Sequence, residues 1–70
     1  MITLEQLKDT YKSTANYLVT WETCLLFKSN TYKYFLTITL RGLNLTVLYK
    51  SSTDLNYLID LYTLFMKEKN

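Results

Sequence analysis

Histidine and proline are missing from this chain, and glycine and cysteine occur once each among its 70 residues. Without histidine there is no Ser-His-Asp or Cys-His arrangement and no histidine metal ligand. Cys24 alone forms neither an internal disulfide nor a zinc knuckle, and no neighbouring base marks it as a nucleophile. A chain without a disulfide framework is expected in the cytoplasm. One glycine rules out a glycine-rich phosphate loop. Asp54 and Asp60 lie six apart on a predicted helix and face different sides, so they form no carboxylate pair. No enzymatic activity, cofactor or metal site is therefore expected. No apolar run approaches the roughly 20 residues of a membrane span, and the N-terminus lacks the signal-peptide pattern. The net charge of +2 is too mild to indicate a DNA-binding arm and has the wrong sign for an acidic mimic of nucleic acid.

Apolar residues make up 49% of the chain and charged residues 20%, which places it among globular sequences. One domain, residues 1–70, is expected. That length is near the lower limit for a self-sufficient core, and a chain this small without staples often gains stability by self-association or by binding a partner.

The periodicity changes along the chain. Thr3-Leu4-Glu5-Gln6 has the form of a capping box. Leu4, Leu7, Tyr11, Thr14, Ala15 and Leu18 recur at helical spacing, predicting a helix over about 3–18. From Trp21 the period is two. Trp21, Thr23, Leu25 and Phe27 form one apolar set, Tyr32, Tyr34, Leu36, Ile38 and Leu40 a second, and Leu43, Leu45, Val47 and Tyr49 a third. Ser29-Asn30 and Arg41-Gly42 are predicted as two-residue turns, with Gly42 supplying a positive φ. These turns pair Trp21 with Ile38 and Leu36 with Val47, and put every apolar set on one face. Leu55, Leu58, Ile59, Tyr62, Phe65 and Met66 mark a second helix over about 53–68, with N-cap candidates among Ser51, Ser52, Thr53 and Asp54. The expected fold is α+β in the order α-β-β-β-α, a three-stranded antiparallel meander with both helices packed on one face.

This arrangement leaves two surfaces over. On the open sheet face the predicted register makes cross-strand rows of Glu22, Thr37 and Thr46; Cys24, Phe35 and Leu48; and Leu26, Lys33 and Lys50. With Lys28 and Arg41 toward opposite ends, this is an apolar centre with a basic rim. Leu26, Lys33, Phe35, Leu48, Lys50 and Arg41 are its candidate partner-binding residues. On the second helix, Tyr57, Leu61 and Leu64 lie outside the main stripe and are candidates for a partner or dimer contact, with Tyr57 as the anchor.

The α-β-β-β-α order and the length resemble the double-stranded-RNA-binding domain. That resemblance would imply RNA contacts from the first helix, the loop between the first two strands, and lysines opening the last helix. Here that loop is Ser29-Asn30, and Ser51-Ser52-Thr53-Asp54 puts an acid where the lysines are needed, so the activity is not carried over. In size and in its many Lys, Asn and Tyr residues the chain also resembles small phage-encoded proteins that act by binding a host macromolecule, anti-CRISPR proteins among them. The expected function is thus a protein-binding module, of the kind that inhibits a host nucleic-acid-processing enzyme, with a homodimer as a possible form. The alternative is a nucleic-acid-binding module using the basic-rimmed face. Salt dependence separates the two, because lysine-phosphate contacts weaken steeply with ionic strength.

Overall fold

The computed structural model describes residues 3–69; Met1, Ile2 and Asn70 of the expected domain lie outside the described residues. The order is α1 (Leu4–Thr10), β1 (Tyr17–Leu26), β2 (Thr31–Leu40), β3 (Leu45–Ser52) and α2 (Leu55–Lys69). The strands form one antiparallel meander with β2 in the centre. Leu7 of α1 and Leu58 and Met66 of α2 join Trp21, Leu36 and Ile38 in a single core, so both helices cover the same sheet face. Fully burying a side chain such as Leu7, Leu36, Ile38 or Leu58 contributes about 1.5–3 kcal/mol each. The fold is the α+β arrangement that the alternation predicts.

The capping box forms as written. The Thr3 hydroxyl accepts from the Gln6 amide at 3.1 Å, and the Gln6 side chain accepts from the Thr3 amide at 2.8 Å. The helix does not reach residue 18, however; it ends at Thr10 and β1 begins at Tyr17. Short hydroxyl side chains compete with the helical backbone for its own hydrogen bonds. The Ser13 hydroxyl accepts from the Val19 amide at 2.8 Å and donates to the Val19 carbonyl at 3.3 Å. The Thr14 hydroxyl accepts from the Tyr17 amide at 3.2 Å. Asp54, just before α2, caps its start, its carboxylate accepting from the Asn56 amide at 3.1 Å.

Both predicted turns are corrected. Trp21 lies opposite Leu36, not Ile38, and Leu40 lies opposite Leu45, not Leu43, so each loop has four residues, 27–30 and 41–44. Among the described residues, those with positive φ are Asn30 (53°) and Asn44 (51°), each the last of its loop, and Gly42 has none. A slip of two residues keeps every side chain on its expected face. The β2–β3 pair then departs further. Between Ile38 and Thr39 the register shifts by one, leaving Val47 as the extra residue of a β-bulge. Beyond it the parity of β3 is reversed. Leu48 stands opposite Ile38 and packs against the core, whereas Tyr49 stands opposite Thr37 and is exposed.

Candidate functional site

The strands outrun the layer that covers them. Ten residues in β1 and in β2 span about 33 Å, whereas the 15 residues of α2 span about 22 Å. Pairing with β3 stops where Tyr34 meets Ser52. Past that point the pairs Cys24–Lys33, Leu25–Tyr32 and Leu26–Thr31 have no third strand. The β1–β2 hairpin therefore projects as an arm. The molecule measures 39 × 21 × 19 Å, and its radius of gyration of 12.5 Å exceeds the roughly 11 Å of a compact chain this long.

The arm carries apolar side chains to its tip. Phe27 is 87% exposed, and Tyr32 is half exposed. Leu25 and Leu26, partly buried, line a shallow groove there with Phe27, Lys28 and Ser29. Lys28 and Lys33 are the charged residues of segment 23–34, which holds no acid. The Lys33 ammonium lies 5.8 Å from the centre of the Phe35 ring, an attractive cation–π arrangement. Cys24, opposite Lys33 on β1, is an exposed free thiol.

Several predicted site residues lie elsewhere than expected. Leu26, Lys33 and Phe35 keep to the open face, but in new rows: Glu22 with Phe35 and Ser51, Cys24 with Lys33, and Leu26 with Thr31. Leu48 leaves that face for the core, and Lys50 lies opposite core residue Leu36, because the bulge reverses the strand after Val47. Arg41 is tied to the α1–β1 connection: its Nε donates to the Thr14 carbonyl at 3.0 Å and its amide to the Asn16 carbonyl at 3.0 Å. The open face is consequently less basic than the predicted rim. On α2, Tyr57 and Leu64 are exposed, and Leu61 between them is partly buried against the core.

A second apolar strip follows the edge strand β3, where Leu45, Val47 and Tyr49 are exposed, with Leu43 in the preceding loop. The alternation assigned these residues, like Phe27 and Tyr32, to the core face. Comparing element lengths would have located the first error, since a helix layer of about 22 Å leaves the end of a 33 Å hairpin uncovered. The bulge carries no local signal in the sequence.

Trp21 and Tyr62 fix the α1–β1 connection on the other side of the core. The Trp21 indole donates to the Tyr11 carbonyl at 2.8 Å, and the Tyr62 hydroxyl donates to the Lys12 carbonyl at 2.9 Å. Among the described residues no group of three or more His, Cys, Asp or Glu side chains is placed to hold a metal ion, and no helix is long and apolar enough to cross a membrane. No family model, curated protein or solved structure matches this chain.

Proposed function

We propose that this chain is a small, non-enzymatic protein-binding module and that the β1–β2 arm makes the contact. The observation that carries this reading is Phe27, a large apolar side chain 87% exposed at the tip of a projecting hairpin. Leaving a phenylalanine in water forgoes about 1.5–3 kcal/mol of burial. Insertion into an apolar pocket of a partner recovers it, in the manner of an aromatic interface anchor. Lys28 and Lys33 favour an acidic rim around that pocket. Within this reading, an inhibitor that occupies the surface of a host nucleic-acid-processing enzyme is the role favoured by size and composition, and the cytoplasm is the compartment in which it would act.

The test is an affinity capture from host lysate with wild type, Phe27→Ser and Lys33→Glu, run alongside anisotropy titrations with single- and double-stranded oligonucleotides over a salt series. A protein retained saturably by wild type and lost by Phe27→Ser, with unchanged circular dichroism, supports the reading. The absence of acid from segment 23–34 favours one rival, nucleic-acid binding. Oligonucleotide binding that falls steeply with salt and disappears in Lys33→Glu, with Phe27→Ser unaffected, would replace the first reading with the second.

A further inference from the structure

The two edges of the sheet are treated differently. On β1 both the amide and the carbonyl of Val19 turn outward and are taken by the Ser13 hydroxyl. Val19 is therefore in a non-hydrogen-bonded pair with Ile38, and the backbone groups of Ile38 point to Leu48 on β3. By the same alternation, those of Tyr49 and Ser51 point away from β2, to the free edge. That strand exposes the apolar side chains of Leu45, Val47 and Tyr49, and its one charged residue is Lys50.

The overlying helix presents a matching strip. α2 packs on β3 and β2, whereas α1 packs on β1. Tyr62 reaches toward the α1 side, to Tyr11 and Lys12. At about 100° per residue, Tyr57 and Leu64 lie about 140° and 160° around α2 from Tyr62, on the flank turned away from α1. The β3 edge and this flank hold Leu45, Val47, Tyr49, Tyr57 and Leu64, five of the nine exposed large apolar side chains among the described residues.

We infer that β3 is the seam of a homodimer, pairing antiparallel with β3 of a second copy across a two-fold axis to make a continuous six-stranded sheet. Centring the axis on Tyr49 pairs it with Tyr49 of the second copy, sets Ser51 opposite Val47 and sets Lys50 opposite Leu48. No like charges then face each other, as they would with the axis on Lys50. The helices fit the same operator. An α2 axis midway between β2 and β3 lies about 2.4 Å inside β3, and the two β3 strands are about 4.8 Å apart, so the two α2 axes run roughly 10 Å apart. That is the spacing of packed helices, and one interface thus covers both strips. A standard interface takes about 800 Å² from each partner, roughly one sixth of the 5158 Å² surface of this chain. The arm lies beyond Ser52 and stays free, so the dimer displays two arms, and its formation does not depend on the binding proposed for Phe27.

Light scattering after size exclusion, from low micromolar to near-millimolar protein, tests the inference. The expected mass for wild type is twice the 8.3 kDa of one chain. Tyr49→Lys and, separately, Leu64→Glu should each raise the dimer dissociation constant by at least about tenfold with unchanged circular dichroism, since both side chains are exposed. Phe27→Ser should leave the mass as in wild type. A monomer at every concentration would overturn the inference. So would a dimer indifferent to both variants, or one dissolved by Phe27→Ser.

Discussion

The indole nitrogen of Trp21 lies 2.8 Å from the backbone carbonyl of Tyr11 and donates to it across ten residues of sequence. This bond joins the buried heart of β1 to the segment on which α1 ends. Tyr62 makes the parallel bond to the next carbonyl, that of Lys12, at 2.9 Å. The three rings pack at centroid distances of 5.4–6.2 Å. Trp21→Phe removes a donor and buried volume together and is expected to cost about 2–3 kcal/mol. Tyr62→Phe keeps the ring and is expected to cost about 1 kcal/mol. Urea titrations of the two variants check both values.

Tyr62 also sets a pH dependence. Burial, and after it the charge of neighbouring Tyr11, raise its pKa above the ordinary tyrosine value of about 10. The folded state therefore holds this proton to higher pH than the unfolded state does. Its contribution to stability is complete below about pH 10 and is lost as pH climbs from there through the folded-state pKa. Thermal unfolding should show a steeper loss of Tm above pH 10 in wild type than in Tyr62→Phe. Equal slopes would mean that the phenol is free to ionise in the fold.

The bulge makes neighbouring residues of β3 unequal. Leu48 packs on the core and Tyr49 does not. In dilute protein, Leu48→Ala is expected to cost about 1–3 kcal/mol and Tyr49→Ala less than about 0.5 kcal/mol. An unbroken register would reverse the order, so the urea midpoints of the pair test the bulge directly.

The loop between β2 and β3 needs its asparagine more than its glycine. Asn44 has φ 51°, whereas Gly42 has no positive φ, and a Cβ added there meets nothing within 4 Å. Gly42→Ala should be neutral or stabilise by up to about 1 kcal/mol through the unfolded chain. Asn44→Val should cost about 1–2 kcal/mol, and Asn44→Gly should be close to neutral. Chemical denaturation of the three variants checks the ranking.

The order of elements was legible in the sequence because it rests on local chemistry. The Thr3–Gln6 capping box, the period of two from Trp21 onward and the stripe from Leu55 to Met66 each act over a few residues. They determined the α-β-β-β-α order, the shared sheet face under both helices, and Trp21, Leu36, Ile38 and Leu58 as core. Alternation cannot see a slip of two, since parity is unchanged when Leu40 moves from Leu43 to Leu45. It cannot see the insertion at Val47 either, which exchanges the environments of Leu48 and Tyr49. Those choices, and the early end of α1 where Ser13 bonds Val19, were decided by tertiary packing. Exposure of Phe27 follows from a third non-local fact: the hairpin is longer than the helices laid over it.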